Sequence, residues 1–66
     1  MNYHVKYIVE DDKLGDLWIT IGIFRSKESA VAFCSGKDHD LLTIEVYQEG
    51  ELVREYNAAG DCLSHD

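Results

Sequence analysis

Four short groupings in this chain of 66 residues hold side chains that could do chemistry. Cys34 followed by His39 pairs a nucleophile with a base, and such a thiol attacks only as a thiolate, which a neighbouring base or cation must stabilise. Cys62-x-x-His65 and Asp38-His39-Asp40 offer metal-ligand types. Glu10-Asp11-Asp12, with Asp16 beyond them, offers carboxylate oxygens to a hard cation such as calcium. Each grouping has a plainer reading. Cys34 falls on the apolar side of a short helix, with no basic group expected close enough to lower its pKa, so it reads as core. Neither His-containing pair has the two-plus-two ligand spacing of a zinc site. The acidic run lacks the alternating D-x-D-x-D-G order of a calcium loop and reads as a solvated turn. With thirteen carboxylates in the chain, any one pair of them is uninformative. No catalytic residue, metal or cofactor is therefore expected, and the chain reads as a non-enzyme.

The elements that would position these residues follow from periodicity. Leu17, Ile19, Ile21 and Ile23 alternate with Trp18, Thr20, Gly22 and Phe24, a strand with apolar weight on both faces. At Arg25-Ser26 the period changes: Ser26 is a good N-cap, Glu28 suits the first turn, and Gly36 is placed to end a helix over about Lys27 to Ser35. That helix buries Ala30, Val31, Phe33 and Cys34, and it is too short to stand without a sheet beneath it. Ahead of it, Tyr3, Val5, Tyr7 and Val9 alternate with His4, Lys6 and Ile8 in a first strand, and residues 10–16 form a charged hairpin loop. After it come LLTIEVY and ELVREY. The expected fold is α+β: a four-stranded antiparallel sheet with one helix on one face, in ββαββ order. Residues 1–57 make the single domain and 58–66 an acidic C-terminal tail, ordered only if Cys62 or Leu63 docks.

Two registers compete in the last hairpin. A two-residue type I′ turn would require Glu49 at positive φ, whereas a type I turn with Gly50 left-handed requires nothing unusual, and the second is expected. It sets Tyr47 against Glu51, Glu45 against Val53 and Thr43 against Glu55, with Leu42, Ile44, Val46, Leu52, Arg54 and Tyr56 on the opposite face. Burial favours keeping Glu55 off the apolar face.

So small a domain buries only about 60% of the surface its unfolded chain exposes, so a disulfide, a metal or a partner chain would add needed stability. The two cysteines do not make a disulfide framework and are expected as separate thiols, Cys34 in the core and Cys62 in the tail. No apolar run reaches the length of a membrane span, and residues 1–10 alternate where a secretory leader would have an apolar centre, which points to the cytoplasm. The net charge of −7 opposes direct nucleic-acid binding, which relies on Lys and Arg displacing counterions. It suits a basic protein groove instead. From Glu45 onwards six carboxylates face Arg54 alone, a net of −5 that leaves −2 for the longer first part.

Surfaces therefore carry the functional expectation. The helix needs the stronger aliphatic face, so Leu17, Ile19, Ile21 and Ile23 are placed beneath it. Trp18 and Phe24 then look outwards beside Glu45, Tyr47, Glu51 and Glu55. Aromatic anchors ringed by charge have the composition of a protein interface. The expected partner-binding residues are Trp18, Glu45, Tyr47, Glu49, Glu51 and Glu55, and the expected partner is a basic surface of a host protein or nucleoprotein complex. A structural homodimer through the same exposed aromatics is the alternative, with the acidity serving solubility.

The run Gly22-Ile23-Phe24-Arg25-Ser26-Lys27-Glu28-Ser29-Ala30, with a strand before it and an EVY-containing strand after it, resembles the strand–GIFxSKExA–helix core of short hypothetical proteins of bacteria and their phages. The resemblance covers about half the chain. It implies the topology and no functional residues. In size, acidity and lack of catalytic equipment the chain is also similar to phage-encoded inhibitors such as anti-CRISPR proteins, some of which present carboxylates where a nuclease complex expects phosphates. That likeness implies a protein-binding inhibitor.

Overall fold

Alternating apolar residues build four strands and a single 3.6-period segment builds the helix. A computed structural model of the chain describes residues 1–63. The elements are β1 (Asn2–Asp11), β2 (Gly15–Phe24), α1 (Lys27–Cys34), a 3₁₀ turn (His39–Leu41), β3 (Leu42–Gln48) and β4 (Glu51–Asn57). The strands form one antiparallel sheet in the order β2-β1-β3-β4. Because β2 and β3 run the same way with β1 between them, their connection has to cross a face of the sheet. That connection contains α1, so one face is covered and the other open.

The two central strands supply the core. Val5 from β1 and Leu42, Ile44 and Val46 from β3 are buried, together with Ala30 and Cys34 of the helix and Ala58. Tyr3, Tyr7, Phe24, Val31, Phe33 and Tyr56 pack around them. Ser26 caps the helix as expected, its Oγ accepting from the Ser29 amide at 3.2 Å. Ser35 closes the helix, and Gly36 follows at φ 82°.

Strand β2 departs from the expected alternation. Val5 pairs with Gly22 but the next residue, Lys6, pairs with Thr20, so Ile21 is an extra residue with no partner on β1. This β-bulge reverses the faces on either side of it. Phe24, expected outwards, turns under the helix, its ring centroid 5.1 Å from that of Phe33. Ile23, expected in the core, is 60% exposed. On the other side of the bulge Leu17 and Ile19 keep the helix-side face, opposite Val9 and Tyr7. They remain 36% and 45% exposed because an eight-residue helix spans about 12 Å of a strand about 33 Å long.

The last hairpin also differs from expectation. Gln48 pairs directly with Glu51, and Glu49 and Gly50 both have positive φ, at 53° and 81°. This is the two-residue I′ geometry, whose twist matches that of the strands it joins. A second bulge then leaves Val53 unpaired, between the pairs Tyr47–Leu52 and Val46–Arg54. The chain thereby has both the tight turn and an outward Glu55, which now lies opposite Glu45.

Part of the expected tail folds onto the sheet. Asn57 Oδ1 accepts from the amides of Ala59 at 3.0 Å and Asp61 at 2.9 Å, turning the chain back. Cys62 then bridges to Tyr56, and the Leu63 amide donates to the Glu55 carbonyl at 2.8 Å.

Candidate binding surface

The face away from α1 is built by period two from all four strands. From β1 it takes His4, Lys6 and Ile8; from β2, Trp18, Thr20 and Ile23; from β3, Thr43, Glu45 and Tyr47; and from β4, Leu52 and Glu55. Trp18 lies opposite Ile8 and is 48% exposed. Trp18, Thr43, Glu45, Glu55 and Leu63 line one shallow hollow of about 360 Å³.

Glu45 is the hub of this face. It lies opposite His4 on one side and Glu55 on the other. Two carboxylates directly across a strand pair repel each other. Lys6 Nζ stands 3.9 Å from Glu45 Oε1, and the Tyr47 hydroxyl donates to the same oxygen at 2.9 Å. That hydrogen bond, with partial burial and the charges of Glu45 and Glu55, raises the Tyr47 phenol above its usual pKa. The Tyr47 ring in turn packs on His4 with centroids 4.5 Å apart.

Of the residues singled out from sequence, Trp18, Glu45, Tyr47 and Glu55 thus share the open face. Glu49 sits at the hairpin tip. Glu51, expected beside Tyr47, pairs with Gln48, and Gln48 shares a hollow with Tyr3 and Val46 on the helix side. Leu52, expected among the aliphatics, takes its place opposite Tyr47. The cause in both cases is the I′ turn followed by the Val53 bulge.

A second group of carboxylates joins two runs that the sequence presents separately. Glu10 and Asp16 are cross-strand partners, and Asp40 joins them around a hollow lined by Tyr7, Ile8, Val9 and Leu41. Asp11 in the adjoining turn accepts from the amides of Leu14 at 2.9 Å and Lys13 at 2.8 Å, which holds its pKa below the usual carboxylate value. Glu10, Asp11 and Asp16 belong to one hairpin, whereas Asp40 is distant in sequence and is brought to them by the sheet order and the 3₁₀ turn.

The remaining chemistry-bearing residues are dispersed. Cys34 is fully buried, and burial raises its thiol pKa, with Lys37 opposing the shift without reversing it. Cys62 is exposed, and among the described residues no disulfide joins it to Cys34. His65 of the Cys62-x-x-His65 pair lies outside the described residues, as does Asp66. Among the described residues, no group of three or more His, Cys, Asp or Glu is arranged to hold a metal ion, and no helix is long and apolar enough to cross a membrane. Comparison of the chain with family models, curated proteins and solved structures found no match, so any function assigned to it rests on these surfaces.

Proposed function

We propose that this chain is a small acidic binding protein of the cytoplasm that acts as an inhibitor, its open sheet face occupying a basic, nucleic-acid-binding surface of a host protein or nucleoprotein complex. The observation that carries the reading is the gathering of Trp18, Glu45 and Glu55 around one hollow, with Tyr47 hydrogen-bonded to Glu45. Trp and Tyr are the side chains that anchor interfaces, and carboxylates beside them set charge complementarity to Lys and Arg. The net charge of −7 would steer the encounter from a distance. The likeness in size and acidity to phage anti-CRISPR-type inhibitors agrees with this use. Binding is favoured over catalysis because the thiol of Cys34 is enclosed in the core and kept protonated by burial.

The test is affinity capture from the native host with the wild-type chain and with Trp18→Ala and the double variant E45K/E55K, followed by a nucleic-acid competition assay on whatever is retained. The expected result is one retained protein that loses nucleic acid when the wild-type chain binds, and that neither variant retains. Equal retention by all three chains, or a retained protein whose nucleic-acid binding is unaffected, would overturn the reading.

A further inference from the structure

We propose that β2 pairs edge to edge with β2 of a second copy of this chain, about a two-fold axis at the Ile21 bulge, so that two four-stranded sheets become one of eight strands. β2 and β4 are the two edges of the sheet. Part of β4 is already covered, by the bridge of Cys62 to Tyr56 and the Leu63–Glu55 hydrogen bond. Along β2 no backbone partner is present on the outer side among the described residues. An edge strand left so presents a row of amide and carbonyl groups ready to pair.

Protected edges carry charges, prolines, short strands or bulges. β2 is ten residues long, the chain has no proline, and from Leu17 to Phe24 there is no charged side chain. Trp18, Ile19, Ile21 and Ile23 are all exposed on this strand. Between Leu17 and Phe24 the bulge is the one protection of these kinds present, and it selects the register.

Charge alone picks out one antiparallel alignment. The uncharged run 17–24 is bracketed by Asp16, within β2, and Arg25, just beyond it, and setting Asp16 of one copy against Arg25 of the other puts Leu17 against Phe24, Trp18 against Ile23 and Ile19 against Gly22. In a regular strand this alignment is forbidden. Residues directly opposite across a pair share a face, whereas positions 18 and 23 of unbroken alternation lie on opposite faces. The extra residue at Ile21 reverses the alternation, so Trp18 and Ile23 both lie on the open face, and Leu17, Ile19, Gly22 and Phe24 all lie on the helix side. The alignment that pairs opposite charges at both ends is therefore also one in which Leu17 and Phe24, Trp18 and Ile23, and Ile19 and Gly22 each meet on a shared face, with Thr20 and the bulged Ile21 at the axis. It covers the most exposed β2 aliphatic, Ile23, with the chain's single tryptophan. It also gives a domain of 66 residues the extra buried surface that its size calls for. Glu45, Tyr47 and Glu55 lie on strands beyond β1 and stay uncovered. Trp18 is shared with the proposed function, so the E45K/E55K chain tests that reading and the Asp16 and Arg25 exchanges test this one, and the two fail separately.

The test is sedimentation of the full chain under reducing conditions over a range of concentrations, with Trp18 fluorescence as a second readout, for the wild type, Asp16→Arg, Arg25→Asp and the double exchange D16R/R25D. Far-UV circular dichroism checks that each variant is folded. The wild type is expected to dimerise with a concentration-dependent blue shift of Trp18. Each single exchange sets like charges together twice per dimer and should weaken association about tenfold, and the double exchange should restore it. A chain that stays monomeric up to about 1 mM overturns the proposal. So does a dimer that is indifferent to the single exchanges, or one that the double exchange does not recover.

Discussion

The rings of Phe24 and Phe33 lie 5.1 Å apart at a tilt of 45°, and this contact clamps the end of an edge strand to the helix. It exists only because Ile21 is bulged; in an unbroken strand Ile23 would take that place. The two neighbours should therefore differ sharply in urea unfolding, measured at concentrations low enough to keep the chain monomeric. Phe24→Ala removes a half-buried ring and is expected to cost about 2 kcal/mol, below the range for a fully buried Phe. Ile23→Ala should cost less than about 0.5 kcal/mol, as at other exposed positions. The reverse order would mean that β2 alternates regularly.

The element order, the helix caps and the central core were legible because each rests on local periodicity or cap chemistry. Val5, Ile44 and Val46 alternate without interruption, and Ser26 and Gly36 punctuate the helix. The two faces of β2 were not legible, since one inserted residue changes no composition and reverses every later side chain. One signal was present: a glycine inside a strand marks a bulge or a close approach, and Gly22 has both, adjoining Ile21 and leaving no room for a Cβ against the Phe24 ring at 2.8 Å. In the last hairpin, burial rightly demanded an outward Glu55. The demand was met by a tight turn plus a bulge at Val53, a combination that no single residue type announces. The open face was consequently half legible. Glu45, Tyr47 and Trp18 follow from alternation, whereas the exchange of Glu51 for Leu52 depends on the turn.

The hydrogen bond from Tyr47 to Glu45 makes a prediction at alkaline pH. It favours the protonated phenol, and burial and the nearby carboxylates add to it, so the folded pKa lies above the unfolded value of about 10. A group raised in this way contributes stability that is fully present below its unfolded pKa and lost as pH rises through the folded one. Glu45→Gln should bring the Tyr47 titration back towards the ordinary value. Tyrosinate absorbance, read as a difference from the Tyr47→Phe chain to isolate one of the four tyrosines, measures it. An unchanged titration in the Glu45→Gln chain would remove the hydrogen bond as the cause.

Cys34 and Cys62 provide an internal comparison of reactivity. Cys62 is exposed, while Cys34 is enclosed by the helix and sheet with its thiol pKa raised by burial. Alkylation of the native chain followed by mass spectrometry should find Cys62, which is exposed, modified first. Cys34 should react at least about 100-fold more slowly, because it needs an opening of the core. In denaturant the two rates should converge. Raising the pH should speed Cys34 beyond the gain in thiolate alone, since its contribution to stability is lost as pH rises through its folded pKa. Comparable native rates would place Cys34 outside the core.

Glu49 holds a left-handed backbone at φ 53° next to Gly50 at φ 81°, where a type I′ turn favours Asn-Gly. A glutamate there carries a conformational cost that nothing in its side-chain hydrogen bonding offsets through the Asx-type contacts open to asparagine. Glu49→Asn should accordingly stabilise the domain by about 0.5–1 kcal/mol, and Gly50→Ala should destabilise it by about 1 kcal/mol. Both are read from denaturant midpoints at unchanged slope. The pair of signs is diagnostic of the turn. With Gly50 alone left-handed, Gly50→Ala would still be costly, but Glu49→Asn would bring no gain. The Val53 bulge depends on the same choice, because a two-residue turn without it would send Glu55 to the helix side and Arg54 to the open face beside Glu45.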